Sequence, residues 1–518
     1  MSPAEKRYFK LHVSRNAAAG HTNQQELFDA IAAMERYDEK KIRKNFAAAA
    51  FMRSFPITKR RLYEAVLASL DAFHSESSID EKLRRMLHHV ELLHRRALYS
   101  DAAKVLQGAR TLAGTHQKYA LLLQIAEWER RMMERGNYSG VTTANLAERV
   151  DSVEGIASQW QEVDRLWQVK SEVFLLIYRS GQAAQGTDLS RLDSLQDEFL
   201  LQEGVALHSS RSRFLHHHVR SALAYAKNQL VQCEGHLAAC AAVLRNEPHA
   251  FQEEPDLLLG VMGNLANVRM RMGQHQQALD GFRAFRLIPL QLATAPCPDL
   301  EMKLFVMGSS LELSVRSVQG DFLGAMEQLT GLEEGLARYG ERASTMRRAE
   351  LALHAAYACF GGGAYDMCLR WCNRLLNEKG IVEHTELHAL GRMMNVMTLV
   401  ELEKEELLNY LLRNTQRHLK QHGTPFAAEQ LLLDHVAAHL KTDQQQARSA
   451  LWKSFAEQLH TVVDELHRAA VLDHIDLLCW AKAKAQGRAF HELVREKWST
   501  PYKTGGASTR GSGRRKAA

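Results

Sequence analysis

Apolar side chains recur every three or four residues along most of the chain, and polar residues fill the positions between them. Two such stripes consist of Leu62, Val66, Leu67 and Leu70, and of Leu83, Met86, Leu87, Val90 and Leu93. This spacing matches the 3.6-residue turn of a helix that buries one face. Only nine prolines occur among 518 residues, so few positions interrupt the pattern. The chain is therefore predicted to be almost entirely α-helical.

The segment 259–289 joins two such helices through a short turn. Gly273 lies at the end of the first helix, where a residue that can adopt a positive φ allows the chain to reverse. Ala278 follows on the second helix, where a small side chain lets the two helix axes approach closely. Phe282 fills the space beside it, and Pro289 is expected to end the second helix. These positions predict a helical hairpin.

Comparable hairpins recur before and after this segment. Their turns are predicted at positions 181, 227, 273, 320, 363 and 403, which are 40 to 47 residues apart. Such a period is typical of repeats in which each hairpin buries its apolar face on the next one. We therefore predict a right-handed α-α superhelix, or solenoid, over residues 76–498. A small helical cap is predicted over residues 1–75, and a disordered basic tail over residues 499–518.

The hairpins at 259–289, 306–336 and 349–379 resemble tetratricopeptide repeats with longer helices. Phe322 and Tyr365 hold the aromatic position two residues after the turn glycine. The resemblance implies a scaffold that binds a protein or peptide partner, with the first helix of each hairpin lining a concave face. The exposed positions of those first helices are accordingly predicted as partner-binding residues: Asn264, Asn267, Arg271, Arg316 and His354.

Longer segments of the chain resemble a narrower family. SPAEKRYFKL and FPITKRRLYEAVLASLDAFH near the N-terminus, and IDLLCWAKAKAQGRAFHELVREKW near the C-terminus, are similar to large tetratricopeptide-like helical-repeat proteins of Bacteroidota. The central hairpin NLANVRMRMGQHQQALDGFRAF also resembles their repeat. The likeness spans most of residues 2–498 and implies the same fold. It implies no activity, because none is assigned to that family.

The formal net charge of +6 is distributed unevenly. Residues 1–110 contain 20 Lys/Arg and 13 Asp/Glu, and the tail from residue 499 contains five basic and no acidic residues. The predicted cap carries a basic cluster: Lys40, Lys41, Arg43, Lys44, Lys59, Arg60 and Arg61. Acidic neighbours interleave with this cluster, as on an ordinary solvated helix face. The alternative is a nucleic-acid-associated regulator that contacts phosphates through its cap or tail.

No pattern of catalytic or cofactor-binding residues stands out. The sequence contains no glycine-rich phosphate loop followed by Lys-Ser/Thr and no Gly-x-Ser-x-Gly motif. His216, His217 and His218 are adjacent, and successive helical residues point about 100° apart, so the three cannot face one metal ion together. We predict a non-catalytic protein without a metal or cofactor. A hydrolase would need a nucleophile, a base and an acid brought together by the fold.

Three features bear on the compartment. Seven cysteines, an odd number, favour reduced thiols. No apolar run approaches the roughly 18 residues of a membrane helix. Ser2-Pro3-Ala4-Glu5 matches a capping box at the start of a helix rather than a signal peptide. A cytoplasmic protein that does not enter a membrane is expected, and its oligomeric state stays open.

Overall fold

A computed structural model describes residues 1–15, 23–34, 37–74, 78–180, 187–291, 296–422, 426–462 and 474–499. Across these ranges the chain is all-α and has no β-strand. The predicted all-α class is therefore confirmed. The turn predicted at Gly181 and all of the predicted basic tail except Ser499 lie outside the described residues.

The chain divides into two compact units, residues 1–157 and 158–518. The boundary falls within one long helix, α8 (Thr143–Ser180). The helices before it are α1 (Pro3–Arg15), α2 (Asn23–Ala32), α3 (Glu39–Asn45), α4 (Phe55–His74), α5 (Ile79–Arg95), α6 (Tyr99–Thr115) and α7 (Tyr119–Arg135), with a 3-10 helix at Ala50–Ser54. The first unit thus contains both the predicted cap and the first hairpin helices. A boundary at residue 75 stays a prediction.

The second unit continues with consecutive helices, several of which are paired in hairpins by short turns. They are α9 (Thr187–Gln196), α10 (Ser210–Ala226), α11 (Leu230–Asn246), α12 (Pro248–Phe251), α13 (Pro255–Arg271), α14 (His275–Gln291), α15 (Pro298–Val318), α16 (Phe322–Glu327), α17 (Leu329–Tyr339), α18 (Thr345–Gly361), α19 (Tyr365–Leu376), α20 (Thr385–Glu401), α21 (Glu405–His422), α22 (Ala427–His439), α23 (Gln445–Val462), α24 (Leu477–Gln486) and α25 (Phe490–Ser499). Short 3-10 helices lie at Phe199–Leu201 and Ile381–Glu383. Helix α14 continues to Gln291, so the prediction that Pro289 ends it is wrong. Proline removes one N–H donor at its own position, and only two residues follow Pro289 before α14 ends.

Hairpins that follow one another in sequence pack together in the second unit. Within hairpins α10 packs on α11, α13 on α14 and α18 on α19; between hairpins α13 packs on α15, α15 on α18 and α18 on α20. Helices α18 and α20 are buried along most of their length. Gly361 shows how close the packing is, because a Cβ there would lie 2.2 Å from the ring of Phe322. The apolar faces of these helices of the second unit are therefore buried between neighbouring hairpins. In the stripe predicted at 62–70, by contrast, Leu62 is buried and Leu67 is exposed.

The hairpin turns share one backbone geometry. A single residue adopts a positive φ and the next helix begins two residues later, at Ala97, Gln117, Asn228, Gly273, Gly320, Gly363 and Glu403. The amide N–H after that residue closes the turn by donating to a carbonyl five residues back, as from Gln274 to Arg269 at 2.9 Å. This is the Schellman end of a helix. The turns predicted at 273, 320, 363 and 403 are confirmed, and the turn predicted at 227 is centred on Asn228.

Two contacts in the second unit join segments that are far apart in sequence. The last helix, α25, returns to the middle hairpins, where Arg495 Nε donates to the Gly320 carbonyl oxygen at 3.1 Å. The end of α8 meets the start of α20, which follows it by about two hundred residues. These contacts do not follow the sequence-neighbour order of a simple stack.

Candidate functional site

A chamber of about 240 Å³ lies inside the second unit. Its walls come from the last turns of α8 and from α10, α11, α13, α18 and the start of α20. Phe174, Leu237 and Val268 provide apolar surface, whereas tyrosines, asparagines, histidines and one ion pair provide polar groups. A small cavity that combines apolar walls with a few convergent polar groups is the usual form of a ligand site.

Three of the five predicted partner-binding residues line this chamber: Asn264, Asn267 and His354. A fourth, Arg271, lies behind the wall, with its guanidinium 5.4 Å from the ring centre of Tyr225, which faces the chamber. The fifth, Arg316, is held elsewhere by Glu312 and Asp321, at 2.8 Å from each carboxylate. The fold thus gathers residues from two different hairpins and leaves Arg316 in a structural ion-pair network.

Asn264 and Asn267 occupy one face of α13, three residues apart. Neither carboxamide makes a hydrogen bond to any part of the chain that the structure describes. Each amide offers one acceptor oxygen and two donor hydrogens. Because both groups face the chamber, a ligand can use all of these positions.

The charged groups of the chamber largely compensate one another. Arg347 Nη1 donates to Glu350 Oε2 at 2.7 Å, and Ser310 Oγ donates to Glu350 Oε1 at 3.1 Å. Burial opposes ionisation of Glu350, but Arg347, His354 and these hydrogen bonds outweigh it and hold the pKa of Glu350 below its ordinary value. One quarter of the Glu350 side chain (25%) stays accessible because it faces the cavity. The chamber therefore presents a paired carboxylate rather than a free charge.

Burial favours the uncharged form of three histidines and of Tyr225 in the chamber lining. Burial lowers the pKa of His474 to about 3 and that of His218 to about 4. It also lowers the pKa of His354, whose ring lies 6.5 Å from that of His474. Burial raises the pKa of Tyr225 to about 12. The lining thus offers neutral hydrogen-bonding groups.

One side of the chamber is closed by a contact between α8 and α20. His384 Nδ1 lies 2.7 Å from the Tyr178 carbonyl oxygen, and Thr385 Oγ1 donates to the Arg179 carbonyl oxygen at 3.2 Å. These carbonyls belong to the last turn of α8, where no later amide of the same helix can reach them. The contact therefore supplies α8 with its missing donors and fixes Tyr178 in the chamber wall.

The lining contains two side chains of nucleophilic type. Burial raises the pKa of Cys233 to about 12, so its thiol stays protonated. The hydroxyl of Ser221 donates to the His218 carbonyl oxygen at 2.8 Å. Throughout the described ranges, no three His, Cys, Asp or Glu side chains are arranged to hold a metal ion. Neither Cys233 nor Ser221 is therefore activated as a nucleophile by a neighbouring base in this geometry.

The basic cluster of the first unit is partly neutralised. Lys59 and Arg43 both contact Glu39, at 3.0 and 2.8 Å. Arg60 pairs with Glu64 at 2.9 Å. Among the described residues, the cluster members without an ion pair are Lys40, Lys41, Lys44 and Arg61. None of the helices that the structure describes has the length and apolarity needed to cross a membrane.

Several lining residues were not predicted from the sequence, including Tyr178, Tyr225, Glu350 and His474. They come from separate repeats, and a single sequence does not reveal which repeats face one another. One available signal was a polar pair at helical spacing, Glu350 and His354, in the otherwise apolar stretch 349–356 of α18. The sequence matches no protein-family model, and no curated protein is similar to it. The chain is thus placed by its fold, as an all-α protein of stacked helical hairpins, and its function must be argued from the chamber.

Proposed function

We propose that the second unit is a non-catalytic helical-repeat scaffold that binds a short extended segment of a protein or peptide partner in the chamber. The observation that carries this proposal is the pair of unpartnered carboxamides, Asn264 and Asn267. An extended peptide exposes an N–H and a C=O on the same side of every second residue, about 6.6–6.8 Å apart. Side chains three apart on a helix are spaced by about 5–6 Å between Cβ atoms. Two asparagines at about this spacing can therefore reach the backbone groups of two alternate residues of an extended segment.

The size and charge of the chamber narrow the kind of segment. Its volume of about 240 Å³ lies below the roughly 300–1,000 Å³ of drug-sized pockets, so only a short stretch enters. The compensated Arg347–Glu350 pair and the three histidines whose pKa is lowered by burial favour a segment without net charge. Apolar walls such as Phe174 and Leu237 provide the hydrophobic contribution.

The finer features of the proposal extend beyond the chamber. A right-handed tetratricopeptide-like superhelix would present α13 and α18 on its concave face, which agrees with the positions of Asn264 and His354. Membership of the Bacteroidota helical-repeat family and a cytoplasmic location with reduced thiols are part of the same proposal. Arg316 has no place in it, because its guanidinium is already occupied by two carboxylates.

Selection from a random peptide library tests the proposal and requires no identified partner. A library of random decapeptides is selected on the full-length protein, and affinities of the enriched sequences are measured by fluorescence anisotropy. The double variant N264A/N267A removes both carboxamides and should bind about tenfold to a hundredfold more weakly, because each hydrogen bond contributes about 0.5–1.5 kcal/mol. N373A, an exposed asparagine on α19, is the matched control.

Two results would contradict peptide binding in the chamber. One is the absence of any enriched sequence that binds the wild-type protein. The other is equal affinity for the wild type and for N264A/N267A, which would place the peptide elsewhere.

A second function is favoured by the unpaired cations of the first unit. Lys40, Lys41, Lys44 and Arg61 can contact phosphates, which supports a nucleic-acid-associated regulator with the second unit as its sensor. Filter binding of duplex DNA over a range of salt concentrations tests this. Affinity should fall steeply with salt, and neutralising Lys40 and Lys44 should reduce the slope by about two. Binding that does not respond to salt would eliminate this function.

A further inference from the structure

A second pocket of about 260 Å³ lies near the end of the second unit, where α20, α22, α23, α24 and α25 meet. It shares no lining residue with the chamber. Its walls include the rings of Trp452, Trp480 and Phe490. The volume is many times the roughly 10–15 Å³ that a single buried water requires. The pocket can therefore hold a small molecule.

Some polar groups of the second pocket are already paired. The Glu401 carboxylate accepts from Trp480 Nε1 at 2.6 Å and contacts Lys484 Nζ at 3.3 Å. Arg488 forms ion pairs with Glu492 and Glu496, which lie outside the pocket lining. These paired groups build part of the wall, and their charges are not available to a ligand.

Two ring nitrogens of the same pocket lack partners. Trp452 is only 1% exposed, and its Nε1 has no hydrogen-bond acceptor in the part of the chain that is described. His439 Nδ1 is also buried without a partner, and its ring lies 5.5 Å from that of Trp452. Buried polar atoms in folded proteins nearly always have a partner. Two buried ring nitrogens without partners at one cavity indicate that a ligand or a water molecule completes the site.

Two opposite charges line the pocket without touching each other. Arg448 donates from Nε to the Thr442 carbonyl oxygen at 2.5 Å, and no carboxylate among the described residues binds its terminal nitrogens. Glu403, at the exposed turn between α20 and α21, forms no ion pair with a described residue either. Both charges act on His439, whose pKa is lowered to about 4 by burial and by Arg448 and Lys484, against the opposing effect of Glu403. A cation, an anion and a residue with an unpartnered N–H donor therefore line the same pocket.

We propose that the second pocket binds a small zwitterion of the α-amino-acid type. The ligand carboxylate accepts hydrogen bonds from Arg448 and from Trp452 Nε1, while its ammonium group faces Glu403. The aromatic walls contact the ligand side chain. The pairing is charge-assisted at both ends, and it gives the unpartnered indole N–H its acceptor.

Calorimetric titration of the full-length protein tests this site with defined probes. L-phenylalanine, L-leucine and glycine are each compared with their amides, which lack the carboxylate, and with their N-acetyl derivatives, which lack the ammonium group. At least one free amino acid should bind saturably, and its amide and N-acetyl derivative should each bind about tenfold more weakly or worse.

Variants test whether Arg448 and Glu403 each contribute to binding of the ligand. R448Q and E403Q should each weaken binding of the free amino acid by about tenfold or more, and W452F should weaken it less because it loses one neutral donor. R413Q is the control for R448Q, since Arg413 Nε also donates to a backbone carbonyl, that of Asn409 at 3.2 Å, outside the pocket. E406Q controls for E403Q. Thermal melting of each variant verifies that it is folded.

Three results would overturn the proposal. They are no saturable binding of any free amino acid, equal affinity for R448Q or E403Q and the wild type, and equal affinity for the N-acetyl derivative. The last result would mean that the pocket recognises only an oxyanion. None of these outcomes bears on the chamber, so the two sites are tested separately.

Discussion

Arg392 on α20 and Glu429 on α22 form a two-point ion pair in the interior of the second unit. Nε and Nη2 of Arg392 lie 2.7 and 2.9 Å from the two carboxylate oxygens of Glu429. Only 8% and 1% of the two side chains is accessible. His388 Nδ1 lies 2.9 Å from the remaining terminal nitrogen, Nη1. The guanidinium of Arg392 thus replaces its lost water with three protein contacts.

Replacing one partner of this ion pair should lower the free energy of unfolding far more than replacing both partners. R392M leaves Glu429 charged and buried, and should lower the free energy of unfolding by about 3–5 kcal/mol. The double variant R392M/E429L removes both charges and should recover most of that loss, because an apolar pair of similar volume has no desolvation cost. Guanidinium titrations followed by circular dichroism measure both. A double variant that is as unstable as R392M would show that the pair itself, rather than the orphaned charge, supplies the stability.

Two substitutions in the hairpin turns should have opposite effects on the free energy of unfolding. Ala97 adopts φ 60° and Gly363 adopts φ 74° in equivalent turns. G363A should lower the free energy of unfolding by about 1–2 kcal/mol, since a Cβ there meets no atom within 4 Å and only backbone strain is added. A97G relieves the same strain and should raise stability by about 0.5–1 kcal/mol. Thermal melting of both variants measures the effects, and a stabilised G363A would contradict the role of the positive φ.

The turns also show what a single sequence reveals. Gly273, Gly320 and Gly363 could be located because glycine marks the required φ, and the capping box at Ser2 and Glu5 is confirmed by reciprocal hydrogen bonds of 2.5 and 3.2 Å. Such signals are local. The turn at Asn228 was misplaced by one residue, because a non-glycine residue there adopts φ 55°.

The chamber was predictable only in part, for a physical reason. Asn264 and Asn267 could be singled out because they are polar positions on a helix with an apolar face. His474 and Tyr178 enter the chamber through contacts between distant segments, and helical periodicity contains no information about such contacts. Arg316 shows the opposite error. Its position on the helix predicted an exposed binding residue, but its guanidinium forms ion pairs with Glu312 and Asp321.

Stability of the second unit should fall in mild acid. His218 packs between Phe174 and Phe214, with ring centres 5.2 and 5.4 Å away. Burial, and then Lys170, lowers the pKa of His218 from 6.5 to about 4. Between these pH values the unfolded chain binds a proton that the native protein does not. The stability that the neutral His218 contributes is therefore fully present above pH 6.5 and is lost as the pH falls towards 4.

Replacing this histidine isolates its contribution. H218F keeps an aromatic ring but cannot be protonated, so its free energy of unfolding should fall less steeply between pH 7 and pH 5 than that of the wild type. One group accounts for at most about 1.4 kcal/mol per pH unit. Urea titrations at several pH values measure the slope, with H460F, at an exposed position on α23, as the control. Identical slopes for wild type and H218F would show that His218 is not protonated on unfolding in this range.

The contact between α8 and α20 should control local opening of the chamber. Thr385 Oγ1 and the imidazole of His384 reach the Arg179 and Tyr178 carbonyl oxygens across 206 residues of sequence. T385V keeps the side-chain shape and removes one hydrogen bond, while H384A removes the other. Each loss is worth about 0.5–1.5 kcal/mol, so the amides of the last turn of α8 should exchange with solvent about twofold to tenfold faster.

Hydrogen–deuterium exchange of the peptide that covers residues 170–179 measures this opening directly, without any ligand. The control is T111V, because Thr111 Oγ1 donates at the same distance of 3.2 Å but to Gln107 within its own helix. Exchange in α8 should be unchanged in T111V and fastest in the double variant H384A/T385V. If the double variant exchanged at the wild-type rate, the end of α8 would be held by packing alone. In that case the donors of α20 would not determine when the chamber opens.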